Sequence, residues 1–214
     1  ITNEMMGGMF PDAYLANQAI ISSSYSGTSY LVFDTRNKVF LAPGDWGMVM
    51  PVYDDLEAVS VLGMLSSKND GEGIIIMKDV ANQMKVAYVN AKNNVLKSVW
   101  PETKGNIVEN SVFLTSQKES ILYYSKGNEI FRYNFESDGN FPGSSDYTVG
   151  EEGDIVKGMM LDPQEKNLYV ALDAAGNQEY KGCVYCYDVA TKSLKWKERG
   201  VAGEIVQMIY KEQK

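Results

Sequence analysis

The sequence predicts an all-β protein, either a β-propeller or a propeller-like repeat of four-stranded antiparallel blades. Short runs that alternate apolar and polar residues, rich in Val, Ile, Tyr and Phe, recur between clusters of Gly, Asn, Asp and Ser. Helical periodicity is nearly absent. A pattern of an aromatic residue, a polar residue and a turn also recurs about every 50 residues, which is the length of one blade.

Four aromatic anchors mark this repeat, namely Phe33, Tyr88, Tyr133 and Tyr187, which are 55, 45 and 54 positions apart. A β-sandwich has no reason to repeat at such a period, whereas a propeller does. We therefore expect each anchor to lie near the end of a blade's third strand and to lead through a turn into the fourth. For the third anchor, the apolar segment after the turn begins at Phe141.

The remaining strands follow from the same alternation, taken in chain order. A weak strand around residues 14–22 precedes the first anchor. The Asp162-Pro163 pair predicts the turn between the first two strands of the last blade. The other predicted strands are 29–34, 38–42, 58–65, 73–79, 84–90, 95–100, 111–115, 120–125, 129–135, 155–161, 167–172, 182–189, 193–197 and 204–210.

The last predicted strand, 204–210, has no blade after it. Because an exposed edge strand promotes aggregation, we expect this strand to pair with one from the N-terminal quarter and to complete the first blade. Residues 1–214 would then form a single propeller-like domain of about four blade equivalents. Four is a small number for a closed propeller, so the sequence leaves open that the chain is part of a larger one.

Composition narrows the possible partners and the cellular context. The 214 residues carry a formal charge of −8, with 44% hydrophobic and 22% charged residues, as in an ordinary globular domain. The negative charge argues against duplex nucleic acid and anionic membrane surfaces as partners. No stretch is apolar for long enough to be a transmembrane segment. The start at Ile1 leaves open a lost signal or lipid anchor.

The chain contains no histidine. This excludes Ser-His-Asp and Cys-His nucleophiles, imidazole bases and nearly all zinc or non-haem iron sites. We therefore expect no catalytic residue, no metal site and no cofactor. The acidic groups 54–57 and 151–154 are expected to be ordinary surface charge, because neighbouring residues do not form the opposed carboxyl pair of a glycosidase.

The cysteines and the methionines also lead to predictions. Cys183 and Cys186 lie three apart on a predicted strand, so their side chains point to opposite faces and should be two buried free thiols. The 11 methionines are expected mainly to fill gaps between blades, with an adaptable binding surface as the alternative.

Trp46 is the leading candidate for ligand contact. It stands beside Asp45 among glycines and a proline, where a regular strand is not expected. An exposed tryptophan with a nearby acid is a plausible stacking platform for a sugar ring. We predict a ligand-binding site of Trp46 and Asp45 together with Asp54 and Asp55 from the next acidic turn. The alternative is that Trp46 folds onto its own domain.

One hairpin, Asp188-Val-Ala-Thr191-Lys-Ser-Leu-Lys-Trp196, resembles the tryptophan-docking motif of quinoprotein-type propellers, Asp-x-x-Thr-Gly-x-x-x-Trp. The Asp, Thr and Trp spacings match, and Lys192 replaces the turn glycine. The other three hairpins lack the tryptophan at this offset, so the resemblance covers one blade. It implies that Trp196 packs between neighbouring blades, and it implies no quinone.

A broader resemblance rests on residues 30–34 (YLVFD) with 37–40 (NKVF), and on 166–171 (KNLYVA) with 184–188 (VYCYD). These segments are similar to the C-terminal propeller-like region of the PKD-like family of surface lipoproteins from gut anaerobes. The resemblance implies a longer parent protein in the cell envelope, surface-exposed or periplasmic. This chain shows neither the lipidated cysteine nor the Ig-like modules of that family. The family carries no agreed catalytic residues.

The leading hypothesis is a non-catalytic propeller-like binding module of a cell-envelope or secreted protein. Its partner would be a glycan or a protein, bound by loops at one end of the blades. The alternative is a lyase or glycosidase on the same scaffold that uses carboxylate, tyrosine or lysine chemistry without histidine. A purely architectural spacer is the third hypothesis.

Overall fold

The computed structural model describes the backbone over residues 13–15, 18–22, 30–34, 39–40, 58–69, 72–79, 81–90, 95–100, 105–176 and 179–211. Side chains are described over 65–69, 72–78, 81–88, 105–176 and 179–211. Within these ranges the chain is all-β and contains no helix. It divides into two compact units, Ile1–Thr103 and Lys104–Lys214. A single domain over 1–214 stays a prediction.

The strands that the structure describes form four antiparallel sheets of four strands, each strand pairing with the next along the chain. The first unit holds the first sheet, β1 (Ala13–Leu15), β2 (Gln18–Ser22), β3 (Tyr30–Asp34) and β4 (Val39–Phe40), and the second, β5 (Ala58–Ser66), β6 (Glu72–Asp79), β7 (Met84–Asn90) and β8 (Val95–Trp100). The second unit holds the third sheet, β9 (Phe113–Thr115), β10 (Ile121–Lys126), β11 (Glu129–Asn134) and β12 (Tyr147–Thr148), and the fourth, β13 (Ile155–Leu161), β14 (Asn167–Asp173), β15 (Gly182–Asp188) and β16 (Leu194–Ala202).

This arrangement is the four-stranded meander of a propeller blade. Within the first unit, β1 lies beside β5, and within the second, β9 and β10 lie beside β13. In each unit, therefore, the first strands of consecutive sheets are neighbours, as in consecutive blades. The predicted fold class, a propeller-like repeat of four-stranded antiparallel sheets, is confirmed.

All four anchors lie near the end of the third strand of their sheet. Phe33, Tyr133 and Tyr187 each pair with the second residue of the preceding strand. Tyr88 lies one position earlier in the repeat and pairs with Ile74, the third residue of β6. Because side chains alternate along a strand, this single step moves Tyr88 to the opposite face. The predicted equivalence therefore holds for three sheets and is shifted in the second.

The turn between the first and second strands repeats in three sheets. The residues that directly follow β5, β9 and β13 are Ser67, Ser116 and Asp162. The backbone N–H of each donates to the carbonyl five residues on, at 2.9, 2.9 and 3.1 Å. In each turn the side-chain oxygen of this residue also accepts a bond from a backbone N–H inside the turn. The predicted Asp162-Pro163 turn is thus confirmed as one copy of a repeated motif.

Two predicted strands are placed differently. The weak strand around 14–22 is a pair of strands, β1 and β2. The fourth strand of the third sheet does not begin at Phe141 but is Tyr147–Thr148. The Phe141 ring is instead buried and stacked on Tyr133 with centroids 4.2 Å apart. Pro142, which follows, has no N–H to donate to a ladder.

The strand predicted over 204–210 is not formed. β16 continues to Ala202, and the described residues after it have no regular secondary structure. Met208 and Tyr210 of this segment lie against the fourth sheet, beside Gly158 and Tyr169. The sequence pattern failed here because an apolar segment can be held by the face of a sheet as well as by a ladder. Pairing of this segment with the first sheet stays a prediction.

The core of the second unit lies between its two sheets. Apolar side chains from β10 to β12 pack against apolar side chains from β13 to β15 and bury one face of each sheet. The main contributors are Ile121, Tyr123, Ile130, Tyr147, Val156, Leu168, Val170, Leu172, Cys183, Tyr185 and Tyr187.

Candidate functional site

The residues predicted for ligand contact, Asp45, Trp46, Asp54 and Asp55, lie outside the described residues. Their role therefore stays a prediction. The described part of the chain offers a different candidate on the fourth sheet, whose two faces have different surroundings.

One face of the fourth sheet packs against the third sheet, and we call it the closed face. It consists of Val156, Leu168, Val170, Leu172, Cys183, Tyr185 and Tyr187. The alternate positions of the same strands point the other way and form what we call the open face. It consists of Gly158, Met160, Tyr169, Ala171, Val184, Cys186 and Trp196.

The closed face ends in a buried ion pair. Arg199 of β16 donates to Asp154 Oδ2 at 2.9 Å and to the Tyr185 hydroxyl at 2.7 Å. The backbone N–H groups of Glu151 and Ala175 donate to the same carboxylate at 2.9 and 2.8 Å. These bonds tie the loop before β13, the loop after β14 and the outermost strand to one buried carboxylate.

The hydrogen bonds around Asp154 change its pKa. Burial alone would raise it, but the hydrogen bonds from Arg199 and from two backbone N–H groups outweigh burial, so the pKa lies below its usual value. The pKa of Arg199 is raised, first by its bond to Asp154 and then by its bond to Tyr185. The prediction of ordinary surface charge is confirmed for the exposed Glu151 and Glu152 and is wrong for the buried Asp154.

Gly150 leaves the space that the Asp154 carboxylate occupies. Its φ is +73°, and a methyl group on its Cα would lie 2.3 Å from Asp154 Oδ2. Glycine meets both needs, because it adopts a positive φ without strain and leaves room for the close approach. The buried ion pair therefore depends on a residue that takes no part in it.

The open face carries a groove of about 320 Å³ that is open to solvent. Met160, Tyr169 and Val184 line it from the sheet, and Met208, Tyr210 and Lys211 line it from residues 203–211. We call residues 203–211 the covering segment. The groove is apolar with three polar tips, namely two tyrosine hydroxyls and one lysine amine.

Two glycines of the sheet receive the covering segment. A methyl group on Gly158 would lie 3.6 Å from Met208 Cε, and a methyl group on Gly182 would lie 3.0 Å from Ile205 Cγ1. The missing side chains thus leave the space that Met208 and Ile205 fill. Val206 faces solvent, with 93% of its surface exposed, and Ile209 lines the groove with 78% of its surface exposed. The segment is therefore apolar on both sides and buried on one.

The covering segment begins at a cluster of charges. Lys181 Nζ lies 2.9 Å from Glu204 Oε1 and 3.5 Å from Asp173 Oδ2. The hydrogen bond between Lys181 and Glu204 raises the pKa of Lys181 and lowers the pKa of Glu204. Both side chains are substantially exposed, so the pair adds little stability.

Trp196 extends the open face beyond the groove. Its ring centroid is 6.2 Å from that of Tyr169, which is 6.5 Å from that of Tyr210. The tryptophan is 44% exposed. Three aromatic rings thus form a continuous surface with their edges or faces toward solvent. The implied packing of Trp196 between blades stays a prediction.

The hairpin that carries Trp196 is held by Asp188 and Thr191, which are two of the residues that match the docking motif. Asp188 Oδ1 accepts bonds from the N–H of Ala190 and from the N–H and hydroxyl of Thr191, at 3.1, 2.9 and 3.0 Å. Lys192, at the glycine position of the motif, has a φ of +58°. The turn therefore keeps the glycine-type conformation with a lysine, and the lysine amine reaches Asp146.

The two cysteines are free and buried, as predicted, and each belongs to a different face. Cys183 lies in the core with the third sheet, whereas Cys186 pairs in register with Tyr169 and Trp196 on the open face. Burial raises the pKa of the Cys186 thiol, which makes it a poor nucleophile at neutral pH.

A second polar cluster lies between the third and fourth sheets. The Arg132 guanidinium lies over the Tyr123 ring at 5.5 Å, and the buried hydroxyl of Tyr147 has no hydrogen-bond partner among the described residues. Burial raises the pKa of Tyr123 and of Tyr147. Such phenols stay protonated at neutral pH and cannot act as bases.

In the described ranges, no group of three acidic or cysteine side chains is arranged to hold a metal ion. Nor does a helix long and apolar enough to cross a membrane occur there. Sequence reasoning missed the groove, although it had one signal for it. The methionine excess predicts gap-filling between blades with a binding surface as the alternative, and Met160 and Met208 line an accessible groove.

No family model and no curated protein matches the chain. A chain of the mitotic checkpoint complex matches its structure with a TM-score of 0.51 and 11% identity, over 90% of this chain and 54% of that chain. An auxiliary nutrient binding protein from Bacteroides thetaiotaomicron matches with a TM-score of 0.52 and 17% identity, over 90% of this chain and 40% of that chain.

Both structures are propeller-like, in agreement with the fold class. This chain spans about half of the length of the first and less of the second. At these identities the likeness concerns the fold alone. Membership of the PKD-like lipoprotein family stays a prediction.

Proposed function

We propose that this chain is a non-catalytic binding module of a cell-envelope or secreted protein, and that its glycan or protein partner contacts the open face of the fourth sheet. The single observation that carries the proposal is the accessible groove beside the rings of Tyr169, Trp196 and Tyr210, of which Trp196 and Tyr210 are exposed. Exposed aromatic and methionine side chains around a concave surface are typical of ligand contact.

The comparisons support this proposal in a limited way. One structure with a similar fold is described as an auxiliary nutrient binding protein from a bacterium. We propose a surface-exposed or periplasmic location for this chain, and this description of a protein with a similar fold supports that location. The resemblance to the PKD-like lipoproteins points to the same compartment. The loop with Asp45 and Trp46, and the turn with Asp54 and Asp55, remain proposed as a second contact region.

The alternative of a lyase or glycosidase needs a base or an opposed carboxyl pair. Where the pKa of a described tyrosine is shifted, it is raised, chiefly by burial. The pKa of Tyr187, for example, is about 12. These tyrosines favour a structural role, which supports a non-catalytic module over a propeller lyase.

The test compares Trp196→Ala with Leu194→Ala. Leu194 lies on the same strand with 45% exposure but pairs with Tyr187 of the closed face, which makes it a matched control. Biolayer interferometry against defined soluble glycans and purified envelope proteins should find a saturable ligand. Trp196→Ala should weaken its binding at least about tenfold, and Leu194→Ala should leave binding within about twofold.

Two results would contradict the proposal in different ways. Without saturable binding of any glycan or protein, the chain is not a binding module. Binding that is unchanged by Trp196→Ala and lost in Trp46→Ala would place the ligand at the loop predicted from the sequence and exclude the open face.

A further inference from the structure

We infer that the open face of the fourth sheet binds a short apolar peptide segment of a partner protein, and that the covering segment occupies this place in the free chain. The inference rests on the proposed function and names the ligand class for the same site. Its basis is the covering segment, which lies on this face in the structure and forms one wall of the groove.

The covering segment shows which chemistry the open face accepts. Ile205 fills the space above Gly182, and Met208 fills the space above Gly158. Tyr210 places its ring 6.5 Å from that of Tyr169. Three side chains of one peptide are thus received at three places along the length of the strands. A partner segment with apolar side chains at the same spacing would find the same recesses.

The covering segment is held weakly enough to exchange. It adds no strand to the fourth sheet, because the last of the four strands, β16, ends at Ala202. Val206 is 93% exposed and Ile209 is 78% exposed, so these two apolar side chains gain little from docking. A segment with few buried contacts and no ladder is the kind of element that opens locally while the rest of the domain stays folded.

The outer edge of the fourth sheet is protected against strand addition, which directs a partner to the face. The exposed strand β16 carries Lys195 and Lys197, and lysines on an edge strand oppose pairing with another strand. On the open face, the row of paired positions Met160, Tyr169, Cys186 and Trp196 carries no charged residue, and the next row carries Glu198 opposite Val184. A peptide partner therefore meets less resistance on the face than at the edge.

The lining of the groove favours a peptide over a sugar. Once the covering segment is displaced, the lining residues that remain on the sheet are Met160, Tyr169 and Val184, and their only polar side-chain group is the Tyr169 hydroxyl. A sugar ring brings several hydroxyl groups, and each loses water on binding unless it finds a partner. Apolar peptide side chains have no such requirement.

The experiment uses the full chain in three forms: wild type, Met208→Asp and Val206→Asp. Met208 faces the sheet, and Val206 is its matched control on the solvent side of the same segment. The probe is a fluorescein-labelled synthetic peptide with the sequence of residues 203–211, followed by anisotropy. Tyr210→Ser provides a second variant that releases the segment, and circular dichroism checks that every variant is folded.

We expect the labelled peptide to bind Met208→Asp and Tyr210→Ser at least about tenfold more tightly than wild type or Val206→Asp. The reason is that the tethered segment competes at a millimolar effective concentration when its contacts are intact. A peptide that carries Asp in place of Met208 should bind about tenfold more weakly than the wild-type peptide, and one with Asp in place of Val206 should bind unchanged.

Equal peptide binding to all four chains, or none, would overturn the inference. If a defined soluble glycan binds the released chains in a Trp196-dependent manner and the peptide does not, the ligand class is wrong while the proposed function stands. If neither binds any form of the chain, both the inference and the open face as a binding surface fall.

Discussion

The two faces of the fourth sheet are made by the same strands and are buried in different ways. On the closed face, Val170 and its neighbours pack against a second sheet, and Asp154 and Arg199 satisfy each other at the end of the core. On the open face, a nine-residue segment without regular structure covers part of a surface that includes Met160, Tyr169 and Val184. A sheet with apolar residues on both faces needs a packing partner on each face. On the closed face this partner is a whole second sheet.

The largest expected effect comes from the ion pair of the closed face. Asp154→Asn keeps the size of the side chain but removes the charge that pairs with Arg199, and it leaves one backbone N–H poorly satisfied. We expect the free energy of unfolding to fall by about 2–3 kcal/mol in urea titrations. The control Glu152→Gln, at an exposed position of the same loop, should change it by less than about 0.5 kcal/mol.

The same substitution has an expected pH dependence. The pKa of Asp154 is lower in the folded chain than in the unfolded chain, so its contribution is fully present above about pH 4. It is lost as the pH falls through the folded value. The stability difference between wild type and Asp154→Asn should therefore shrink in acid. A difference that stays constant down to the lowest pH at which both are folded would exclude charge as its cause.

A matched pair of valines compares burial on the two faces directly. Val170 on the closed face is fully buried, and Val184 on the open face is partly exposed at the groove. Val170→Ala should lower the free energy of unfolding by about 2 kcal/mol, because it removes buried methyl groups and leaves a cavity. Val184→Ala should cost less than about 1 kcal/mol. Equal losses in chemical denaturation would show that the covering segment seals the open face as completely as the third sheet seals the other.

The reaction rates of the two cysteines compare how readily each face of the sheet opens to solvent. Both thiols are buried, but Cys183 lies in the core between the sheets, whereas Cys186 lies on the open face in register with Tyr169 and Trp196. We expect iodoacetamide under native conditions to modify Cys186 at least about tenfold faster than Cys183, since local opening on the open face needs less free energy than separating two sheets. Peptide mass spectrometry of quenched samples gives both rates.

The Met208→Asp variant sharpens this test. It should accelerate modification of Cys186 and leave Cys183 unchanged, whereas Val206→Asp should affect neither. Equal rates for the two thiols in every variant would mean that they become accessible only by global unfolding.

The smallest expected effect is at the turn beside the open face. Lys192 adopts a φ of +58°, which costs a residue with a side chain about 1 kcal/mol relative to glycine. Lys192→Gly removes this cost and also the exposed ion pair with Asp146, which contributes less. We expect a net gain of about 0.5 kcal/mol in the free energy of unfolding. A loss of stability would show that the ion pair outweighs the backbone strain.

Much of the fold was predictable because its signals are local. Alternation predicted β9 to β11 and β13 to β15 to within two residues, whereas β16 runs five residues past its predicted end and no strand forms over 204–210. The Asp162-Pro163 pair predicted a turn that recurs in three sheets. The period of the aromatic anchors gave the number of strands per sheet. The third sheet was harder, because its last strand has two residues and the stacked ring of Phe141 imitates a strand residue.

The sequence alone determined the all-β class, the repeated four-stranded unit and the opposite faces of Cys183 and Cys186, because each depends on spacing along one strand or turn. Only the tertiary structure decided that Asp154 is a buried ion-pair partner while Glu152 is surface charge. It also decided that residues 204–210 lie on a sheet face without forming a strand, and that Met160 and Met208 meet across a groove. These outcomes depend on which distant elements come together. Two residues with the same local sequence pattern contribute differently to the free energy of unfolding once one of them contacts a distant residue.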